Sequence, residues 1–524
     1  MDRLQQAGIQ AASRTKLLLT AAEAYPALEG AFLDARHDIS LSFRIFDLNT
    51  KLRSKRGREV GKTWFDLILY VLRRGVAVRI DITDFDPCAR PELHRGTWRT
   101  MRMLAAAREL AGAQARLGTR ALMHPAQSGF FVRLAFWPMV MRKLGKHAQW
   151  INDQPVGQRE NILRDMPGLA PHLTGTASHG FKKRVLSFPK LFPAIHHQKI
   201  ALFDEKWLYI GGLDLNDRRY DTPKHARKGS QTWHDVQVLM SGPVTREARL
   251  HLDSFHEVAA GQQEAAPPRR LLRTISCRRR FAPFAIGPSQ KNREIATAHE
   301  MLIARAQKLI YLETQYFRSL SLARHLAKAA KERPDLNLIL ILPAAPEEMA
   351  FDSGVTLDLR YGEYLQARAI GIVQQAFGAR AFVGNPVQPR SKGNAGPDHG
   401  RDHVKGAPLV YLHAKVSIFD DESAIVSSAN LNGRSLAWDT DAGVYLRRSD
   451  GVAAMRERVM RHWLPDDADP SCFELDNAAA HWAQIARQNA GLPPKDRDGF
   501  LMPYDCEAGR RVAKRLPFVP EEMV

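Results

Sequence analysis

Cysteine is scarce in this chain: Cys88, Cys277, Cys472 and Cys506 are the four among 524 residues, far apart and never in a C-x-x-C pair. That spacing argues against a disulfide framework and a cysteine-based zinc site, and it points to a reducing, cytoplasmic compartment. No apolar run reaches the ~18 residues needed to span a bilayer. The nearest, Phe130 to Met141, is broken by Arg133 and Pro138 and followed by basic residues from Arg142 to His147. It reads as a buried helix or lid segment, with an element lying at a membrane interface as the alternative. The N-terminal stretch to Gly30 has no continuous apolar core and carries Asp2 and Glu23, so it is a poor secretory signal; leaderless export is compatible with this but not indicated.

Acidic residues are in deficit. With 76 Lys and Arg against 56 Asp and Glu, the net charge is +20, which favours a polyanionic counterpart without choosing between a membrane surface, a phosphorylated substrate and nucleic acid. At 524 residues the chain exceeds what one core usually supports, so two cores or two fused lobes are expected.

What the chain does contain is a repeated motif. In His196-His197-Gln198-Lys199, ending at Asp204, side chains alternate along a strand, so His197 and Lys199 share a face. An imidazole beside an ammonium is a site for an anion. The spacing H-x-K-x-x-x-x-D recurs as His413, Lys415 and Asp420, where chance would supply on the order of a few hundredths of a match. After each aspartate come a polar turn and an apolar run that ends in small residues, Gly211-Gly212-Leu213-Asp214 in one copy and Ser427-Ser428-Ala429-Asn430 in the other. Small residues there let a backbone or an oxyanion come close.

The surroundings repeat as well. Helical spacing over Tyr25–His37 precedes a strand-like Asp38–Leu48, and Ala296–Gln307 precedes Lys308–Phe317; Trp64–Arg74 then leads to Gly75–Thr83, and Ala323–Arg333 to Leu336–Pro343. Strands alternating with helices predict an α/β sheet in each half. The expected organisation is a first lobe over 1–263 with a largely helical insertion at about 90–190, a basic connector over 264–291, a second lobe over 292–465 and a C-terminal extension over 466–524. The connector carries Arg269, Arg270, Arg273 and Arg278 to Arg280, attractive to acidic lipid head groups. The polar, glycine-rich Gly384–Gly406 reads as a gating or unstructured loop.

These motifs, with "GGLDLNDRRYDTPKH", "WHDVQVLMSGPV", "IYLETQYF" and "SSANLNGRSLAWDTDAGV", resemble the phospholipase D superfamily, and most of residues 30 to 465 resemble the two catalytic halves of its eukaryotic-type members. Ser427 stands where that family usually has glycine and Asp441 where it usually has glutamate. The resemblance implies two α/β lobes related by a pseudo-twofold axis, with the active site at their interface. Asp235 and Asp441 match the acidic positions that hold the two histidines, and Glu313 and Gln315 match a position on the site floor.

Bringing the motifs together suits phosphodiester chemistry. Lys199 and Lys415, with donors from Gly212, Ser428 and Asn430, would neutralise the phosphate charge. One imidazole attacks phosphorus to give a phosphohistidine, and the other protonates the leaving alkoxide. Family precedent makes His197 the nucleophile and His413 the acid. Asp204 and Asp420 complete the catalytic motifs, although their odd spacing turns them away to brace the hairpin or the lysine; Asp214 belongs to the supporting set. The expected function is hydrolysis of a glycerophospholipid, or transfer of its phosphatidyl group to an alcohol, at a membrane surface. A cardiolipin-synthase-like transferase and a nucleic-acid phosphodiesterase are the alternatives; nucleic acid is not the expected partner, and no partner protein is implied. No cofactor or metal is expected, since no His, Asp and Glu cluster at ligand spacing appears outside the motifs. The α/β sequence begins near residue 30, so the calcium-binding lipid domain of plant members is not expected, nor calcium dependence.

Overall fold

The computed structural model describes residues 14–267, 269–351, 354–391 and 401–524. Its first sheet is built from β1 (Thr15–Leu19), β2 (Asp38–Phe43), β3 (Ala77–Thr83), β4 (Leu117–Leu122), β7 (Lys199–Phe203), β8 (Trp207–Gly211) and β9 (Val236–Met240); the small hairpin of β5 (Leu173–Thr176) and β6 (Gly180–Lys183) stands apart. The strand order is β1-β9-β8-β7-β2-β3-β4.

The second sheet takes β10 (Leu271–Cys277), β11 (Ser289–Arg293), β12 (Leu309–Thr314), β13 (Asn337–Ile341), β14 (Ala381–Pro386), β17 (Lys415–Phe419), β18 (Ser423–Ser427), β19 (Asp441–Arg447) and β20 (Leu501–Pro503), with β15 (His403–Val404) and β16 (Ala407–Pro408) forming a separate short hairpin. Its order, β11-β10-β19-β18-β17-β12-β13-β14-β20, repeats the first sheet strand for strand and adds one strand at each edge. In each sheet three strands run parallel, β2-β3-β4 and β12-β13-β14, and the hairpin bearing the motif adds antiparallel to the first of them. The molecule is therefore a duplicated α/β fold.

The two sheets meet face to face. One apolar core contains Ile200, Leu202, Ile210 and Val238 from the first sheet with Tyr311, Val416, Ile418, Val426 and Val444 from the second. The outer face of each sheet buries its own helices: Thr20–Asp34 and Trp64–Arg73 on the first, Glu294–Arg305, Leu320–Glu332 and Leu357–Phe377 on the second. Strands covered on both faces read as continuous apolar runs, which is why Asn337–Ile341 has no polar alternation and is buried throughout.

Three boundaries differ from the sequence reading. The connector contains β10, which pairs with β19 as β1 pairs with β9; the arginines mask an apolar set of Leu271, Leu272 and Ile275, all buried. Two of those arginines are structural, Arg273 lying 2.7 Å from Glu294 and Arg270 pairing with Asp450. The C-terminal stretch also belongs to the second lobe: β20 closes its edge on β14, and Ala478, Ala479, Trp482 and Ala486 of helix Ala478–Gly491 enter the core between the sheets. Within 90–190 the helices Pro91–Ala111, Phe130–Asn152 and Val156–Arg164 are present, but β4 between them is the edge of the main sheet. Of the Gly384–Gly406 loop, 392–400 lies outside the described residues, as do 1–13 of the N-terminal stretch. Among the described residues no helix is long and apolar enough to cross a membrane.

Candidate active site

The two motif hairpins, β7-β8 and β17-β18, are superposable in plan. Phe203 pairs with Trp207 and Phe419 with Ser423, leaving three-residue turns that start at Asp204 and Asp420, both with left-handed backbones (φ 50° and 52°). Aspartate tolerates that conformation better than most residues. From there the Asp204 carboxylate accepts the amides of Arg36, His37 and Asp38 at 2.8–3.0 Å, and Asp420 accepts those of Gln307, Lys308 and Leu309 at 2.8–2.9 Å. The motif aspartates therefore tie each hairpin to the start of the neighbouring strand. They do not bond the histidines or the lysines, and their inclusion among catalytic residues is corrected.

At the other end of the hairpins the halves exchange partners. His197 Nδ1 lies 2.9 Å from Asp441 of the second half, and His413 Nδ1 lies 2.6 Å from Asp235 of the first. The backbone repeats the exchange, since the His197 amide donates to the Thr440 carbonyl (2.7 Å) and the His413 amide to the His234 carbonyl (2.8 Å). Each lysine turns back on its own motif: Lys199 Nζ donates to the His197 carbonyl at 2.5 Å, and Lys415 Nζ to the His413 carbonyl. A carboxylate on Nδ1 fixes the tautomer and leaves Nε2 for chemistry.

Burial governs the protonation of these groups. It holds both imidazoles well below their ordinary value, with the adjacent lysine adding to the effect; His413 is depressed further by Arg219, Lys199 and His197. Burial lowers Lys199 to about 8 and Lys415 to about 7, and raises Asp235 to about 7 and Asp441 to about 6 against the opposing pull of the lysines. Burial thus disfavours charge on all of these groups, and an anion placed among the lysines and imidazoles would favour their protonated forms.

The remaining expected residues divide. Ser428 Oγ donates to Asp441 at 2.6 Å and so steadies the brace on His197. Gly212, its counterpart, has no room for a side chain: a Cβ there would stand 2.3 Å from Asp235 Oδ1. The amides of both are spent on carbonyls across the sheet, Val236 and Ala442, so they are not the phosphate donors expected. Asp214 accepts from Arg44 (3.2 Å) and from the Ile45 amide (3.0 Å); burial alone would raise its carboxyl, but Lys199 and Arg44 outweigh it and hold the group low. Asn430 donates to Gln315 at 3.3 Å, and Gln315 donates to the Tyr411 hydroxyl at 2.9 Å. Glu313 does not join them. Thr314 is the residue that pairs with Lys415, so Glu313 turns to the opposite face, where Trp463 donates to it at 2.8 Å and Tyr311 also bonds it.

Two arginines were not singled out from sequence. Arg44 is the duplicate of Gln315, because Phe43 pairs with Lys199 as Thr314 pairs with Lys415; once Gln315 is a candidate, the repeat identifies Arg44. Arg219 lies over the Trp233 ring, 3.5 Å from its centroid, with Glu347 at 3.8 Å. Only its place in the quoted "NDRRYD" signalled it.

The chain is similar to several known proteins. The profile of the family described as "Cardiolipin synthase, PLD-like domain" matches residues 300–463. Phospholipase D alpha 1 of Ricinus communis is 24% identical over 363 residues, covering 48% of this chain and 45% of that protein. Phospholipase D1 of Saccharomyces cerevisiae is 22% identical over 385 residues, covering 52% of this chain and 22% of that protein. The chain thus spans less than half the length of these relatives. Among solved structures, phosphatidylserine synthase of Haemophilus influenzae has the same fold, with a TM-score of 0.50, 12% identity and 86% coverage of both chains. Taken with the duplicated fold and the two interlocked motifs, these matches support a relationship to the phospholipase D superfamily.

Proposed function

We propose that this protein is a phospholipase D-type phosphodiesterase that cleaves a glycerophospholipid on the head-group side of phosphorus and passes the phosphatidyl group to water or an alcohol. The observation that carries the reading is the reciprocal bracing of His197 by Asp441 and His413 by Asp235. It gives two imidazoles with Nε2 free, beside two buried ammonium groups. In the first half-reaction His197 Nε2 attacks phosphorus while His413, protonated as the anion arrives, gives its proton to the departing alkoxide. In the second, His413 takes a proton from water or alcohol, which displaces His197. Lys199, Lys415, Arg44 and Arg219 offset the phosphate charge throughout.

A lipid substrate is favoured by an exposed apolar surface. The stretch Phe130 to Met141 reads from sequence as a buried or lid segment with a membrane-interface element as the alternative; in helix Phe130–Asn152, Phe130, Phe131, Leu134, Phe136 and Met139 are exposed, and only the second half, from Val140 to Ile151, packs inward. Phe131 stacks on the largely exposed Phe284 (centroids 4.5 Å apart), and Phe281 is fully exposed beside Arg278 and Arg280. Exposed Arg142, Lys143 and Lys146 follow on the helix. Aromatic and cationic groups in one patch suit the surface of an anionic bilayer. The family profile named for cardiolipin synthase supports the transferase variant of the same chemistry.

The test is a panel of phospholipid vesicles with an added primary alcohol, reading free head group and new phosphatidyl-alcohol together. Release of head group sustains the proposal, and the product ratio separates hydrolysis from transfer. Cleavage of DNA with none of phospholipid would overturn the lipid reading. Phe136→Ser with Phe281→Ser should reduce vesicle binding and activity on vesicles about 10-fold while sparing a short soluble phosphodiester. Trp137 is a poor probe because its indole donates to the Ser187 carbonyl at 2.8 Å and packs on the insertion's own core.

A further inference from the structure

A second histidine cluster lies behind the active site, on the face of β12 opposite Lys415. His225, His234 and His462 each offer a ring nitrogen, and these atoms lie within 4.8 Å of one another. The residues are far apart in sequence, so spacing alone hid them, and the expectation of no ligand cluster outside the motifs is corrected on this point. We propose that His225, His234 and His462 bind one divalent first-row transition-metal ion, Zn2+ fitting best, which clamps the two halves of the chain together. The site is independent of the phosphodiesterase reading, and no catalytic step passes through it.

Four observations carry the assignment. First, His225 Nε2 and His462 Nε2 face each other at 3.0 Å; Zn–N bonds of about 2.0–2.1 Å set the ligand nitrogens of one tetrahedral ion about 3.3 Å apart. Second, His225 already has the partner typical of a metal ligand. Asp221 lies 2.7 Å from its Nδ1, and that carboxylate is fixed in turn by the amides of Thr222 and Trp233 at 2.8 Å. This carboxylate–histidine arrangement presents the Nε2 lone pair outward.

Third, His234 is fully buried with neither ring nitrogen hydrogen-bonded. Leaving both unmade costs free energy that a bound cation would recover. Glu313, whose Oε2 is also unpartnered, stands 3.4 Å from His234 Nε2, placed to orient that ring. Fourth, the walls are aromatic: Trp463 lies parallel to His225 and 4.4 Å from the centroid of His234, and Phe500 lies parallel to His462. Three imidazoles without thiolate select zinc-like ions over Ca2+ and Mg2+, which take oxygen ligands. Because His225 and His234 come from the first half and His462 follows helix Val452–Arg461 of the second, the ion would cross-link the duplication.

The full chain, stripped with a chelator and then equilibrated with Zn2+ alone, should retain about one zinc per chain through gel filtration by elemental analysis. Its Tm should rise by about 3–6 °C on adding zinc back. Co2+ in place of zinc should give the visible absorption of a tetrahedral nitrogen site. His225→Asn and His462→Asn should each lose the stoichiometric metal and the Tm response, whereas His179→Asn, at an exposed site, should keep both. Less than about 0.1 zinc per wild-type chain, or full retention in the His225→Asn/His462→Asn double variant, would overturn the proposal. If a variant does not fold, the wild-type stoichiometry and the cobalt spectrum decide alone. Lipid turnover enters none of these readouts, so this site and the phosphodiesterase stand or fall separately.

Discussion

The two half-sites share a backbone and differ in charge. In the first, the position after the motif strand's neighbour is Arg44, paired with Asp214; in the second the same two positions hold Gln315 and Asn430, a neutral pair. The first half has Gly212 against its carboxylate, where the second has the Ser428 hydroxyl bonded to its own. Duplication conserved what a hairpin needs, the turn aspartate and the His-x-Lys face, and let the polar lining drift apart. The halves are equal as scaffold and unequal in the polar groups they bring to the site, an asymmetry that the proposed division into one nucleophile and one acid would use.

Removing either histidine should have the largest effect. His197→Ala and His413→Ala are each expected to lower turnover by about 10^3-fold or more, with the double variant little worse, because the two act as a unit. Thermal unfolding run alongside should stay near wild type; substantial activity in either variant would break the idea that the halves divide one reaction. Next come the braces. Asp235→Asn and Asp441→Asn are expected to cost on the order of 10^2–10^4-fold in kcat by releasing the tautomer of the facing histidine. Ser428→Ala should cost only about 10-fold and act through Asp441, which a kcat series on the double variant Ser428→Ala/Asp441→Asn would reveal as non-additive.

Charge can be exchanged directly between the halves. Arg44→Gln alone leaves Asp214 buried without its ion pair and should destabilise the fold by about 2–4 kcal/mol, whereas Arg44→Gln with Asp214→Asn copies the second half and should recover much of that loss. If the pair serves only stability, the double variant will match wild-type KM; a raised KM shows that Arg44 also meets the phosphate. Denaturant unfolding and steady-state kinetics on the same three proteins settle both points.

Stability against pH offers a further comparison. Burial lowers the Lys199 ammonium to about 8 from 10.5, so the unfolded chain binds that proton more tightly than the folded one. The penalty is fully present below about pH 8 and is relieved as pH rises toward 10.5, so this group adds stability with rising pH across that window. Lys199→Met removes the penalty, and its Tm should respond less to pH between 8 and 10 than that of wild type. An identical slope in both proteins would mean Lys199 is solvated.

Much of this was legible from residues alone because the signals were local. H-x-K-x-x-x-x-D needs only strand alternation to put His197 with Lys199, and apolar runs framed by helical spacing were enough for the duplicated α/β order. Asp204 shows the limit: its spacing from His197 says that it points away, while the three amides it accepts come from residues 36–38, joined only by β2-β7 pairing. Leu271–Cys277 was obscured because arginines flank a strand whose burial depends on a neighbour 170 positions later, Asp441–Arg447.

The sequence by itself determined which chemistry the chain carries, since imidazoles, ammonium groups and carboxylates at fixed spacing are properties of covalent order. Tertiary structure alone decided who serves whom: that Asp441 braces His197 and Asp235 braces His413 across the interface, that Glu313 leaves the floor of the site, and that three histidines from two halves converge behind it. The physical reason is one of range. Strand alternation and turn geometry act over a few residues, whereas the packing of two sheets on a shared apolar core sets distances between residues that the chain separates by 150 positions or more.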